Sequence, residues 1–209
     1  MEKQYRNVGY VFLLLIPMAV WAFYKSYIIR SPDINVNIDV YIHMHAAVSA
    51  VWIGLLISQP LLIRYKKYEL HKWFGKISYV VFPLLILSFV PLIARRYDGL
   101  ASVINPVFDV GLLLLFYPLA VINKRSIAVH MRYMIAIALI FIGPTLARIL
   151  FHWTDISGLW GTMITWGSIN VILAALLVWD KSNKREYRPY VVALTAFCIY
   201  LLVLFTLNI

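Results

Sequence analysis

Four ionisable residues of this chain lie within or at the edge of long apolar runs: His45, Asp109, Arg148 and His152. Imidazole and carboxylate groups together are suitable ligands for zinc, copper or iron. A charged residue in an apolar medium is costly unless it is paired, and an Asp109–Arg148 ion pair would lower that cost. We therefore predict one site in which His45, His152 and Asp109 hold a transition metal ion or a single haem, next to Arg148.

Helical spacing brings further polar residues onto shared faces, because each residue of an α-helix turns by about 100°. One face carries His45, Ser49, Trp52 and Gln59, and His43 would point almost the opposite way. A second stripe consists of Asn105, Asp109 and Asn123, and a third of His130, Thr145, Arg148 and His152. Three such stripes most simply face a common interior, which adds Asn105 and Gln59 to the predicted pocket.

The elements that would position these residues are membrane-spanning helices. Of the 209 residues, 63% are hydrophobic and 13% are charged, whereas a soluble domain typically has about 25% charged residues. A bilayer core about 30 Å thick needs roughly 20 apolar residues in a helix. The sequence contains such runs at residues 8–29, 40–63, 73–94, 103–123, 127–151, 158–180 and 189–209. No linker or repeat divides them, so we predict an all-α bundle of seven transmembrane helices that forms a single domain, residues 1–209.

The positive charge is concentrated in the connections that lie on one side of such a bundle. The N-terminal side holds 14 of the 19 Lys and Arg residues: Lys3, Arg6, Arg64, Lys66, Lys67, Lys72, Lys76, Lys124, Arg125, Arg132, Lys181, Lys184, Arg185 and Arg188. Because cytoplasmic loops carry the excess of these residues, we predict a cytoplasmic N-terminus and a C-terminus outside.

This topology divides the polar residues by depth. It places His45, Asp109, Arg148 and His152 towards the outer leaflet, and it places His71, His130, Arg132 and Gln59 near the cytoplasmic surface. The lipid bilayer is the predicted partner. The net charge of +10 is dispersed in short clusters, and nucleic-acid binding needs a contiguous basic patch, so we expect no nucleic-acid partner.

Two classes of chemistry are disfavoured. A retinal Schiff base needs a lysine, and the last three apolar runs contain none in their interiors, so we expect no retinal. The single cysteine, Cys198, excludes an intrachain disulfide and a cysteine-based metal cluster. We expect it to be a small buried hydrophobic residue.

Two stretches of the sequence carry a family resemblance. The first, HAAVSAVWIGLLISQPLLIRYKKYELHKWFGKISYVVFPLL, begins at His45 and contains Gln59 before a proline and His71 in a His-Lys-x-x-Gly-Lys pattern. The second, HMRYMIAIALIFIGPTLARIL, begins at His130 in a His-x-Arg-x-Met pattern and ends in Ala-Arg-Ile. Together, across residues 41–151, they resemble a bacterial membrane family known as domain of unknown function 2306. The resemblance implies a multi-spanning protein of the bacterial inner membrane and supplies no reaction.

A looser similarity is to the b561-type di-haem membrane cytochromes, in which imidazoles from facing helices ligate haem iron near each membrane surface. It implies ligation by His45 with His152 on one side and by His71 with His130 on the other. The chain departs from that pattern at Gln59, which stands fourteen residues after His45 where the family has a second histidine.

Three functions therefore stay open. The first is a redox or metal-dependent membrane protein whose histidines hold the cofactor. The second is a proton- or ion-coupled transporter that uses Asp109, Arg148 and the histidines as a relay. The third is a non-catalytic sensor or scaffold with an unidentified small-molecule or protein partner, in which the ion pair is only structural. The sequence assigns no catalytic residue.

Overall fold

The structure, a computed structural model, describes residues 2–30 and 38–207, apart from the side chains of residues 96, 100 and 101. The regular elements of these residues are helices. The first helical stretch of the chain consists of a 3-10 turn (Lys3–Tyr5), helices α1 (Val8–Phe12) and α2 (Leu15–Phe23), and a π-helical turn (Tyr24–Ile28). The later helices are α3 (Val40–Arg64), α4 (Tyr68–Arg96), α5 (Leu100–Ile122), α6 (Ile127–Trp153), α7 (Gly158–Ser182) and α8 (Arg188–Thr206).

Seven helical stretches of the described chain are long and apolar enough to cross a bilayer: Lys3–Ile28, Val40–Arg64, Tyr68–Arg95, Ser102–Ile122, Ile127–Trp153, Gly158–Ser182 and Arg188–Thr206. Their outer surfaces are apolar too, since residues such as Val80, Ile122 and Val171 are exposed by 63%, 75% and 69%. Helices with such a surface are the elements that a bilayer accepts. The prediction of an all-α protein with seven candidate spans is confirmed, and it indicates a multi-pass membrane protein in contact with lipid.

Two predicted spans have different limits in the structure. The span expected at 8–29 is interrupted at Leu13 and Leu14, because Pro17 has no N–H to donate to the Leu13 carbonyl. That carbonyl accepts from the Ile16 N–H instead, at 3.1 Å. The span expected at 73–94 begins five residues earlier, at Tyr68. Its first turns are polar and helical, and Glu69 and Lys72 form an ion pair across one turn at 3.0 Å.

The described residues form two compact units, Met1–Val110 and Gly111–Ile209. In the first unit α3 and α4 form a helical hairpin, and Trp52 is buried with its ring 5.5 Å from that of Phe82. Asp39 fixes one end of the hairpin, since its carboxylate accepts from the Tyr41 N–H and pairs with Arg95 of α4. Helix α1 packs on α3 at Gly9, where a methyl group would come within 2.8 Å of Leu61.

In the second unit α6, α7 and α8 pack around the indole ring of Trp166. A methyl group at Gly143 of α6 would overlap that ring, so the close approach of α6 and α7 requires glycine. The rings of Tyr200 and Phe197 of α8 lie 4.3 and 6.1 Å from Trp166. These ring contacts join the three helices.

Candidate functional site

His45 lies between two serine hydroxyl groups in the α3–α4 hairpin. Its Nδ1 atom is 2.9 Å from Ser88 Oγ of α4, and its Nε2 atom is 3.4 Å from Ser49 Oγ, one turn along α3. The edge of the imidazole meets the Phe89 ring, with the ring centres 4.6 Å apart. All these residues are half-buried. His45 is therefore held by polar contacts from both helices of the hairpin.

The partners of Ser88 determine which nitrogen of His45 carries the proton. The Ser88 hydroxyl donates its hydrogen to the Leu85 carbonyl, at 2.6 Å, and a carbonyl can only accept. Ser88 Oγ consequently accepts from His45, which must be protonated at Nδ1. In the neutral imidazole Nε2 is then the basic atom, and the Ser49 hydroxyl faces it.

Gln59 contacts His71 and Gly75 near the other end of the same hairpin. Its Oε1 accepts from the Gly75 N–H at 3.2 Å, which turns the amide nitrogen towards the His71 carbonyl (3.3 Å) and towards His71 Nδ1. Because an amide N–H donates, His71 accepts at Nδ1 and carries its proton at Nε2, the reverse of His45. Gln59, His71 and Gly75, all parts of the first sequence motif, thus form one contact between α3 and α4.

The polar stripe predicted on α3 is a single face, and that face is turned towards α4. His45, Trp52 and Gln59 all have partners on α4, as described above. His43 points away from this stripe, as its spacing predicted, and its Nδ1 atom lies 2.8 Å from the Tyr27 hydroxyl in the π-helical turn. The polar residues of this face of α3 therefore lie in the interface with α4.

Asp109 and Asn105 lie on α5 within the first unit. Asp109 is buried, with 7% of its surface exposed, and Asn105 is half-buried. An ionisable residue buried in an apolar helix is costly, and the part of Asp109 in a functional site stays a prediction.

In the second unit, the predicted residues Arg148 and His130 both bond to main-chain carbonyls. Arg148 donates to the Pro144 carbonyl one turn earlier, at 3.0 Å. His130 donates from Nδ1 to the Ala120 carbonyl of α5, at 2.8 Å, so its Nε2 atom is basic when the ring is neutral. His152 is exposed in the last turn of α6.

The second unit has a buried polar cluster of which the sequence singled out Arg132 but not its partner Asp180. Arg132 of α6 and Asp180 of α7 are both fully buried, and Arg132 Nε donates to Asp180 Oδ2 at 2.7 Å. Arg132 also donates to the Ala128 carbonyl at 2.9 Å, and its guanidinium lies 5.9 Å from the ring centre of Tyr190. The ion pair therefore connects α6 to α7, with α8 beside it.

Arg185 extends this cluster beyond the end of α7. Its NH1 atom is 3.5 Å from Asp180 Oδ1, and its backbone N–H donates to the Asp180 carbonyl at 2.9 Å. Its guanidinium also lies over the Trp179 ring, 4.9 Å from the centre. The carboxylate of Asp180 thus pairs with two arginines, Arg132 of α6 and Arg185 after α7, and the two ion pairs hold these parts of the unit together.

Cys198 is exposed on α8, so the expectation that it is buried was wrong. Its thiol donates to Asn170 Oδ1 of α7, at 3.2 Å. The residue's apolar surroundings in the sequence did not distinguish a lipid-facing position from an interior one, because both are apolar in a membrane protein.

The predicted metal and haem ligands are divided between the two units. His45, His71 and Asp109 belong to the first unit, and His130 and His152 belong to the second. No group of three or more His, Cys, Asp or Glu side chains that could hold a metal ion occurs among the residues that the structure describes. The predicted pairs His45–His152, His71–His130 and Asp109–Arg148 each have one member in either unit, and they stay predictions.

Comparisons with known proteins give no functional lead: no family model, no curated protein and no solved structure matches this chain.

Proposed function

We propose that this protein is a multi-pass protein of the bacterial inner membrane that works by binding and releasing a proton at His45, as a proton-coupled transporter does. The observation that supports this proposal most directly is the position of the imidazole between the hydroxyl groups of Ser88 and Ser49. Histidine is the side chain whose ordinary pKa allows proton exchange near neutral pH.

The two hydroxyl groups are compatible with both protonation states of His45. In the neutral ring Nδ1–H donates to Ser88, and Nε2 accepts from Ser49. When Nε2 gains a proton, the Ser49 hydroxyl can turn about its C–O bond and accept from Nε2–H, because a hydroxyl both donates and accepts. Proton uptake at this position then requires the rotation of one hydroxyl hydrogen and no movement of either helix.

The location of the site in the membrane follows from the distribution of basic residues. With the N-terminus in the cytoplasm and the C-terminus outside, His45 lies towards the outer leaflet, close to the start of α3. The buried Asp109 of α5 is the second titratable residue of this unit that the proposal includes. Membership of the family known as domain of unknown function 2306 is part of the same proposal and fits a multi-spanning protein.

A flux measurement tests this function. The protein is reconstituted in liposomes that contain a pH-sensitive dye, and a pH step is applied outside. We expect the wild-type protein to accelerate equilibration and His45→Gln to abolish that acceleration. His43→Gln is the matched control, because it alters a histidine two residues away that contacts Tyr27 on the opposite face.

The results of the flux measurement distinguish the transporter function from the alternatives. Equal loss of flux in His43→Gln and His45→Gln would show a general effect of changing this end of α3. An unchanged flux in His45→Gln would remove His45 from the proposal. A wild-type protein without proton flux would favour the sensor or scaffold function.

A second candidate is a redox protein that binds one haem or one transition metal ion. Histidines that bind metals usually donate the other ring N–H to a carbonyl, carboxylate or water, and His130 donates Nδ1–H to the Ala120 carbonyl. His45 has the same tautomer, so Nε2 would be the ligand atom of each ring in its predicted set, which is His45 with His152 and Asp109, or His130 with His71. Such a group would supply electron transfer.

The test of the second candidate is the absorption spectrum and the metal content of protein purified under mild conditions. A Soret band or a stoichiometric metal that is lost in His130→Ala or His45→Ala would support it. Colourless protein with less than stoichiometric metal, in repeated preparations, would exclude it. The b561-type similarity would then have no functional meaning for this chain.

A further inference from the structure

The turn that joins α3 to α4 carries a dense cluster of positive charge. Residues 64–76 contain five cations and a single acid, Glu69: Arg64, Lys66, Lys67, Lys72 and Lys76. We call these five residues the basic turn. The charge on this side of the bundle is expected from the positive-inside rule, but that rule alone requires no binding cleft.

A cleft of about 390 Å³ opens beside the first turns of α4, lined by Glu69, Leu70, Lys72, Trp73 and Lys76. Its lining combines two ammonium groups with a leucine and an indole. That is the combination that a phospholipid meets when its phosphate lies at the membrane surface and its glycerol and upper acyl chain lie deeper. A soluble anion would gain nothing from the apolar half of the cleft.

The aromatic residues of this region indicate the depth at which the cleft lies. Tyr65, Tyr68 and Trp73 are 60%, 52% and 59% exposed. In membrane proteins Tyr and Trp are enriched at the level of the lipid headgroups. The basic turn and its cleft thus lie where the phosphates of the surrounding lipid are.

We propose that this cleft binds the headgroup of an anionic phospholipid, with Lys72 and Lys76 holding the phosphate and Trp73 with Leu70 holding the glycerol region. Lys72 pairs with Glu69 at 3.0 Å, but the two side chains are 68% and 88% exposed. Such exposed pairs are weak, so Lys72 can exchange the carboxylate for a phosphate. This binding is independent of proton exchange at His45.

Lipid binding is measured by native mass spectrometry of the full-length protein, with phosphatidylglycerol titrated against phosphatidylcholine. A lysine near an anionic headgroup contributes about fivefold in affinity, so Lys72→Gln with Lys76→Gln should weaken the first phosphatidylglycerol site about 25-fold. The matched control is Lys181→Gln with Lys184→Gln, which removes two lysines from another basic connection and should change the affinity less than twofold.

Two further variants keep the test informative if the double glutamine variant folds poorly. Lys72→Arg with Lys76→Arg retains the charge and should retain the preference for phosphatidylglycerol. Glu69→Gln removes the only acid of the cleft and should tighten binding severalfold.

The proposal is overturned by any of three results. The first is an equal weakening in the cleft variant and the control variant, which would mean a diffuse effect of charge. The second is equal affinity for phosphatidylglycerol and phosphatidylcholine. The third is complete displacement of the lipid by millimolar inorganic phosphate, which would identify a site for the free anion.

Discussion

Replacing Asp180 by asparagine tests the role of the buried ion pair in the second unit. Asparagine has nearly the same shape as aspartate, and its carbonyl oxygen can still accept from Arg132 Nε. The change therefore removes one negative charge and little else. Arg132, fully buried and hydrogen-bonded to Ala128, would retain its positive charge while the negative charge of Asp180 is lost.

The expected cost follows from the burial and the distance. Two unit charges about 4 Å apart interact by about 4 kcal/mol at an effective dielectric constant near 20. Breaking a buried pair by removing one partner typically costs about 3–5 kcal/mol. The Nε–Oδ2 distance of 2.7 Å and the complete burial of both residues place Asp180→Asn in that range. Arg185→Gln should cost about 1 kcal/mol or less, because Arg185 is partly exposed and 3.5 Å away.

The assay is the free energy of unfolding in mixed micelles, followed by tryptophan fluorescence during denaturation with a charged detergent. The double variant Arg132→Met with Asp180→Leu is the decisive control. Replacing both charges with apolar residues of similar size is often neutral or stabilising, so this variant should recover most of the loss. The proposed role of the buried ion pair is refuted if Asp180→Asn lowers the free energy of unfolding no more than Arg185→Gln does. It is also refuted if the double variant is less stable than Asp180→Asn.

Three further predictions concern packing, tautomers and titration. Gly143→Ala should destabilise the protein by about 1–3 kcal/mol, because the methyl group overlaps Trp166. Gly167→Ala, which meets no atom within 4 Å, should be neutral or stabilising by up to about 1 kcal/mol in the same assay. Nitrogen NMR of ¹⁵N-histidine-labelled protein should find that neutral His45 is protonated at Nδ1 and neutral His71 at Nε2. Gln59→Leu should remove the preference of His71 for the Nε2–H tautomer and leave the tautomer of His45 unchanged. Finally, the Tyr65 hydroxyl donates a hydrogen bond to the Tyr10 oxygen, and this bond raises the pKa of Tyr65 above its ordinary value of 10.0, so Tyr10→Phe should lower the Tyr65 pKa in an NMR titration. The stabilisation linked to the raised pKa of Tyr65 is complete below pH 10 and is lost as the pH rises through that raised pKa; an unchanged Tyr65 titration would contradict the assignment.

The sequence alone predicted the helical content, the number of spans and most of their limits. A bilayer has a fixed thickness and offers backbone groups no hydrogen bonds, so apolar runs of about 20 residues are read reliably as helices. Helical periodicity also predicted correctly that His43 and His45 point in different directions, because this depends only on rotation about one helix axis. Local geometry is sufficient for such predictions.

The sequence predictions that were wrong concern residues whose type fits two different environments. The first turns of α4 are polar, and hydropathy assigned them to a loop although they are helical. Cys198 is apolar in character, and apolar residues fit both lipid and protein interior, so its exposure was not predictable. Hydropathy did not reveal the interruption before α2, because its cause is the missing N–H of Pro17.

What the tertiary structure decided is the partner of each polar residue. The sequence placed His45 and Gln59 on one face of a helix, but only the packing of α3 against α4 showed that Ser88 and His71 meet them. Arg132 and Asp180 are 48 residues apart, and nothing local in either segment indicates the other. In an apolar sequence the hydrophobic pattern looks similar on every face of a helix, so the choice of contacting face, and with it the identity of each polar contact, arises only when the helices pack.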